Sequence, residues 1–322
     1  MQTRRFLKSV ALAGALLAMA PLGLAQNYPA KPVKFIVPFP AGSATDMAAR
    51  LMAQQLQTAM NQTFVVENKP GAGGSIAAME VIRSAPDGHT LLFSSNSAAA
   101  SNVALLKSIP YDPLKDFTPV SGIGENMLVL MVKAEHPAKT AQELVSYVSQ
   151  RPGKVSAGFG SSSSQVSIAV FNKIGKVDTQ LVPYKGIPLA VNDVLGGVVD
   201  FTFVDLGNAL AQAKGGRMRA LGITAPKRSP LVPDWPALSE TLPGFDITAW
   251  FALLGPAGLP PEVVNKLHGA IAQSLKAPET RDKLATIGIQ PMPLNPGELR
   301  TFMGSEVAKW VRLVKEANIQ PE

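Results

Sequence analysis

Two loops in this sequence gather the residue types that hold a small anion without a metal. The first is Pro38-Phe39-Pro40-Ala41-Gly42-Ser43-Ala44-Thr45-Asp46, between an apolar strand pattern and an amphipathic helix pattern. Gly42 lets the backbone approach a ligand closely. Ser43 is placed to cap the helix, with Asp46 three residues on as its box partner. The N–H groups at a helix start, together with the helix dipole, favour negative charge. In open α/β sheets ligands bind beyond the carboxyl ends of strands, where this loop lies. The second loop, Gly158-Phe159-Gly160-Ser161-Ser162-Ser163-Ser164, repeats the strand–loop–helix arrangement with four consecutive hydroxyls. Each loop taken alone also reads as a plain turn or a solvated serine stretch. Two such loops in separate parts of the chain could clamp one small anion between them.

Other candidates carry less. Ser94-Ser95-Asn96-Ser97 ends a strand, and Ser94 and Asn96 could supply polar ligand contacts or a helix cap. Gly71-Ala72-Gly73-Gly74 lacks the following Gly-Lys-Ser/Thr of a phosphate loop and reads as a turn or close-packing point. No G-x-S-x-G elbow is present. His89, His136 and His268 are not spaced as metal ligands, and nothing ties any of them to a serine. With 0 Cys there is no thiolate zinc site, iron–sulfur cluster or cysteine nucleophile. No catalytic residue, metal site or cofactor is expected. Lys185 and Arg50 could balance an anion, though long basic side chains are usually solvated. Trp235, Trp250 and Trp310 read as core or interface residues.

The elements that must position these loops alternate. Strands are expected at Val33–Val37, Phe64–Glu67 and Thr90–Ser94, with helices at Asp46–Met60 and Ser75–Arg83 between them. That alternation argues for a parallel α/β sheet. Strands follow at Asn126–Lys133, Val155–Phe159, Leu181–Val182, Val199–Val204, Met218–Thr224 and Thr248–Leu254. Helices are expected from Thr140, which with Glu143 forms a capping box, at Gln165–Ile174 and at Leu189–Leu195. Three more are expected at Pro261–Lys276, Pro278–Ile287 and Pro296–Asn318. One sheet would need some ten strands, so two lobes fit better. The chain would cross between them near Ile123–Asn126 and near Thr224–Arg228. Lobe 1 is then residues 26–124 with 226–322, and lobe 2 is 125–225.

The N-terminus reads as an address. Arg4, Arg5 and Lys8 precede an unbroken run of apolar residues and Gly from Val10 to Ala20, and small residues stand at Gly23 and Ala25. This is the pattern of a secretory signal peptide cleaved after Ala25. The paired arginines leave the Sec and twin-arginine routes both open. Removing 25 residues and their three basic side chains from 322 residues and net charge +7 leaves 297 residues and +4. That residual charge is mild and interspersed with acids, so no nucleic-acid partner is expected. Being Cys-free suits an oxidising compartment, here the periplasm.

Several motifs together resemble the Bug-type extracytoplasmic solute receptors of tripartite tricarboxylate transporters. Tyr28-Pro29-Ala30-Lys31-Pro32-Val33, Ile36-Val37-Pro38-Phe39-Pro40-Ala41-Gly42 and Asp46 with Ala49-Arg50 are similar to that family's opening signature. Glu67-Asn68-Lys69-Pro70-Gly71-Ala72-Gly73-Gly74 resembles its second motif. Pro86-Asp87-Gly88-His89-Thr90-Leu91-Leu92 resembles the third, with His89 where Tyr is usual. Val182-Pro183-Tyr184-Lys185-Gly186 and Leu195-Gly196-Gly197 carry the likeness into the second lobe. Ser43, where a second Gly is usual, and the serine run at 161–164 depart from it.

The resemblance implies a type II periplasmic-binding fold, two α/β lobes joined by crossing strands with a ligand cleft between them. It implies capture of a small carboxylate, held by backbone N–H groups, hydroxyls and bridging waters, and delivery to membrane permease subunits. Phe39, Ala41, Gly42, Ser43 and Asp46 would serve from the first lobe. Ser161–Ser164 and Tyr184, Lys185 and Gly186 would close from the second, with Asp205 selecting at the far end. A monomer is expected. Two other readings stay open, a sensor for a membrane signalling protein and an exported enzyme using Ser or a carboxylate base. Export predicts that protein recovered from the periplasm begins at Gln26; intact-mass measurement showing an unprocessed chain there would refute the leader.

Overall fold

In the computed structural model residues 28–321 are described, so the leader expected at 1–25 lies outside the described residues. The chain divides into two units, Met1–Ala30 and Lys31–Glu322, and all the strands and helices named here belong to the second. Its first segment runs β1 (Val33–Val37), α1 (Ala44–Met60), β2 (Phe64–Asn68), α2 (Ser75–Ile82) and β3 (Thr90–Ser95). β1 pairs in parallel with both β2 and β3, as strand–helix alternation requires. A π-helical turn at Ser97–Ser101 and a short α3 (Asn102–Leu105) lead to β4 (Phe117–Lys133).

The middle of the chain holds α4 (Ala141–Ser149), β5 (Ser156–Phe159), α5 (Ser162–Gly175), β6 (Gln180–Pro183) and α6 (Ile187–Gly196). β7 (Phe201–Asp205), α7 (Leu206–Lys214) and β8 (Met218–Ile223) complete it. After the proline-rich connection come β9 (Thr248–Pro256), α8 (Pro261–Lys276), α9 (Pro278–Thr286), β10 (Ile289–Pro291) and α10 (Pro296–Glu316). The strand order is β2-β1-β3-β9-β4-β7-β5-β6, with β8 and β10 also paired to β4.

β4 joins the halves of this sheet. Phe117–Met127 pairs antiparallel with β9, while Leu128–Lys133 pairs antiparallel with β7 and β8. β9 lies beside β4 up to Met127 and β8 takes over from Val129, so the partner changes between those residues. β4 begins nine residues before the expected Asn126, because Pro119, Gly122 and Gly124 disguise a strand. Its pairing with β9 shifts register between Pro119 and Ser121 and again between Gly122 and Gly124. Those glycines answer a steric demand. A Cβ on Gly122 would lie 2.5 Å from Met292 O, and one on Gly124 would lie 2.5 Å from Ile289 Cγ2.

Two further differences bear on the site. Helix α7 was not expected, since Leu206-Gly207-Asn208-Ala209 opens weakly; its cap is Asp205, whose Oδ1 accepts from Asn208 N at 3.1 Å. α5 starts three residues before the expected Gln165, because serine favours caps over helix interiors and masks the first turn.

The core is aromatic on both sides of β4. Phe35 packs against Phe64 and Phe93, Phe171 against Phe201, and Phe203 against Phe245. A carboxylate is buried between two tryptophans. Glu306 on α10 is 5% exposed, and its Oε2 accepts from Trp250 Nε1 at 2.7 Å and Trp310 Nε1 at 3.0 Å. Lys309 approaches its other oxygen at 3.2 Å. This clamp holds the outer face of β9, and strand alternation then turns Phe251 to the opposite face. Glu306→Leu leaves two buried indole donors unpaired, at about 1–3 kcal/mol each. A urea midpoint close to wild type would refute the clamp.

Candidate functional site

One cavity lies where four helices begin. The space around it, with the open solvent at its mouth counted in, is about 450 Å³. Ser43, Ala44 and Thr45 bring the start of α1, and Ser161 and Ser163 the start of α5. Ile187 is the first residue of α6, and Asp205 caps α7. The first N–H groups of each helix have no carbonyl one turn back. Four positive dipole ends therefore face one space. The floor comes from the joining strands, with Ala249 and Phe251 on β9 and Asn126 and Leu128 on β4. Both pairs are spaced two residues apart, which puts each pair on one strand face.

Hydrogen bonds between the sheet halves close one side. Ser97 Oγ and Ser162 Oγ are 2.8 Å apart. Asn96 Nδ2 donates to Ser162 Oγ and Ser163 Oγ, each at 3.1 Å. On the rim, Asn208 Nδ2 donates to Gly42 O at 3.0 Å. A Cβ on Gly186 would lie 2.5 Å from Pro40 Cγ, so that approach needs glycine. Beyond the Ser97–Ser162 seam is a second, wider cavity of about 930 Å³ lined by Gly71–Gly74, Tyr184 and Lys185.

The candidate residues divide accordingly. Phe39, Ser43, Asn96, Ser161, Ser163 and Asp205 line the first cavity. Ser162, Tyr184 and Lys185 line the second, which also shares Phe39 and Ser161. Tyr184 donates its hydroxyl to Asp193 Oδ2 at 2.6 Å, and burial with that carboxylate pushes its pKa up to about 12. Ala41, Gly42, Asp46, Ser94, Ser164 and Gly186 line neither cavity. Ser94 donates to Ser95 O at 3.0 Å, on the strand face away from Ser95. Ser164 is used within its own turn, accepting from Gly160 N and Ser161 N, each at 3.1 Å.

Asp46 braces the first loop instead of reaching a ligand. Oδ2 accepts from Gly42 N at 3.0 Å and Arg50 Nε at 3.1 Å, while Oδ1 accepts from Asn68 Nδ2 at 2.9 Å. Arg50 is thereby engaged as well, and it also bonds Asn68 Oδ1 at 3.1 Å. Burial alone would raise the Asp46 pKa, but the hydrogen bonds from Arg50, Gly42 and Asn68 outweigh it and hold it below the usual value. Asp205 is the opposite case. Burial pushes its pKa up, against hydrogen bonds from Asn208 alone among neighbouring side chains.

Sequence reasoning missed Ser95, Asn126, Leu128, Ile187, Ala249 and Phe251 as lining residues. Ser95 had a local signal, as did Ser97, which also lines the cavity, since both stand inside the serine–asparagine run. The strand residues became part of the site through pairing across more than a hundred positions. Among the described residues no group of His, Asp and Glu could hold a metal, and His89, His136 and His268 line neither cavity.

Residues 48–319 match the tripartite tricarboxylate transporter family receptor, TctC. The chain belongs to this family. The receptor is similar to Protein BugT of Bordetella pertussis, 36% identical over 296 residues that cover 91% of each chain. It is similar in structure to R. palustris Rpa4515 with adipate, with TM-score 0.90 and 32% identity over 92% of this chain and 100% of that one. MatC from Rhodopseudomonas palustris with bound malate gives TM-score 0.85 and 34% identity over 89% of this chain and 100% of that one. These matches bear out the two-lobed periplasmic-binding fold.

The receptor's first loop should carry an acid signature. A carboxylate with a depressed pKa stabilises the fold fully above its unfolded value, 3.8 for Asp46, and loses that contribution as pH falls through the depressed value. Asp46→Asn should therefore be less stable than wild type at pH ~7, with the gap narrowing only below about pH 4. Unfolding curves at several pH values test this; a gap that widens on acidification would contradict it.

Proposed function

We propose that this receptor works outside the cytoplasm, capturing a small carboxylate in the first cavity and presenting it to the membrane subunits of its transporter. The observation that carries this is the convergence of four helix starts, from both halves of the sheet, on one small space. Backbone N–H groups of α1 and α5, the hydroxyls of Ser43, Ser161 and Ser163, and bridging water supply donors for one carboxylate without any buried cation. The apolar floor then selects length and shape. The adipate and malate held by structural relatives fit the same chemical class.

Lobe 1 is residues 26–124 and 226–322, lobe 2 is 125–225, and β4 is a hinge strand. The seam of Asn96 and Ser97 with Ser162 and Ser163 belongs to the closed state. Closure creates a surface spanning both lobes, which permease subunits read. The receptor acts as a monomer, exported to the periplasm.

Thermal melts with mono-, di- and tricarboxylates of three to six carbons test this reading. A ligand at about 100 times its Kd adds about 2.7 kcal/mol and raises Tm. Gly186→Val, which obstructs the Pro40 approach, should weaken that ligand at least tenfold, by about 1.4 kcal/mol. If no small organic acid raises Tm, the receptor reading fails.

A further inference from the structure

The rim bond between Asn208 and Gly42 joins two groups that each half of the molecule prepares in advance. Asn208 stands in the first turn of α7, and its backbone N–H caps the helix on Asp205 Oδ1 at 3.1 Å. Its side-chain Nδ2 lies 3.0 Å from both Asp205 oxygens and 3.0 Å from Gly42 O, 166 positions away in the chain. An amide nitrogen carries two hydrogens. One serves the Asp205 carboxylate, and the other crosses to the first loop. The amide orientation follows, since a flip would set Oδ1 against three oxygens. Asn208 itself lines neither cavity.

The acceptor is prepared from the other side. Ser43 N bonds Pro40 O at 3.2 Å, and this turn holds Gly42 at φ +80°. A left-handed φ at the third residue of a turn is what glycine supplies. A Cβ on Gly42 would meet nothing within 4 Å, so the demand is on the backbone and not on space. Asp46 Oδ2, itself held by Arg50, accepts the Gly42 N–H at 3.0 Å. The loop is thereby fixed with the Gly42 carbonyl turned to α7. Beside this bond the approach is steric, since a Cβ on Gly207 would lie 2.4 Å from Ile287 O. The start of α7 therefore meets the first half with a stop at Gly207 and a bond at Asn208.

We propose that Asn208 is the latch of the closed receptor, a positioning residue that ties α7 to the first loop and so sets how long a captured ligand is held, without touching the ligand. This rests on the carboxylate-receptor reading and its lobe closure. Two features suit Asn208 to that work. Both partners are ordered by groups of their own half, so making the bond costs little further ordering. Asn208 is only half-buried, so water takes over when the bond breaks and the net gain from closing it is modest. A bond of that strength favours the closed state about three- to tenfold. That prolongs holding without trapping the ligand.

The sequence has 0 Cys, so spin labels go only where cysteines are introduced. Ile76 in α2 and Leu189 in α6 are exposed, one in each half. In the receptor carrying Ile76→Cys and Leu189→Cys, double electron–electron resonance reads the ratio of open to closed molecules without needing a ligand. Asn208→Ala should raise that ratio about three- to tenfold. The backbone N–H that caps α7 survives this change, so the variant folds. A merely structural Asn208 would lower the urea midpoint and leave the ratio as in wild type, and that outcome overturns the proposal. With whichever of succinate, malate, glutarate and adipate raises Tm most, stopped-flow dissociation should quicken by a comparable factor, with the association rate within about twofold of wild type. An unchanged dissociation rate also overturns the latch. Absence of binding by any small organic acid overturns the receptor reading instead, and the resonance ratio still decides the latch.

Discussion

Everything in this molecule's site depends on backbone N–H groups that helices cannot satisfy themselves. Each α-helix begins with donors lacking a carbonyl one turn back. Starting four helices at one cavity concentrates that deficit and aligns four positive dipole ends. The residues around it manage the deficit. Ser43, Ser161 and Asp205 each take one N–H with a side-chain oxygen, and Ser97 and Asn126 take the Ser162 and Leu206 N–H groups from across the cavity. An anion then binds without a buried lysine or arginine, and the desolvation penalty of a buried ion pair is avoided.

The sheet explains how such a site can open. β4 runs through both halves, so the proposed opening would turn each half about one continuous strand. The contacts across the cavity are short and polar, Ser97 with Ser162, Asn96 with Ser163, and Asn208 with Gly42. Water can replace each of these when the halves part, which keeps the open state accessible. The Gly186–Pro40 approach contributes shape and no bonding, so it limits how far closure goes. Away from the cavity, Trp250 and Trp310 both donate to buried Glu306, which ties β9 to α10.

How much of this could be read from the residues follows from the range of each interaction. The first loop, the Ser43 cap and the strand–helix alternation are local, and they stood in the sequence as they stand in the structure, whereas the serine run hid the first turn of α5. The parallel start of the sheet followed from that alternation. β4 was half hidden, because the glycines that let Met292 and Ile289 approach are also the residues that argue against a strand. Asn126 was legible only as a crossing point. Its place on the floor comes from pairing with Ala249 on β9 and from its contact with Leu206, both distant in sequence. Ser94 and Ser164 illustrate the converse. Each has the right side chain in the right run, but strand alternation or the helix's own turn uses it elsewhere.

The two aspartates show why residue type is a poor guide to role. Both stand at the start of a helix with a serine or asparagine close by. Asp46 meets Arg50, Asn68 and the Gly42 N–H, which saturate its oxygens and keep it ionised. Its charge is spent inside the loop, and an incoming anion sees a neutralised pair. Asp205 meets only the Asn208 backbone and amide, in a buried place without a cation. Burial therefore works against its charge, and no cation beside it opposes that. The partner, more than the carboxyl group itself, divides the aspartate that stays charged from the one that burial disfavours charging. Asn126, one strand away, makes the same point for a donor: its Oδ1 is held by the Leu206 N–H, while its Nδ2 is buried with no hydrogen-bond partner among the described residues, so one amide is satisfied at one end and costly at the other.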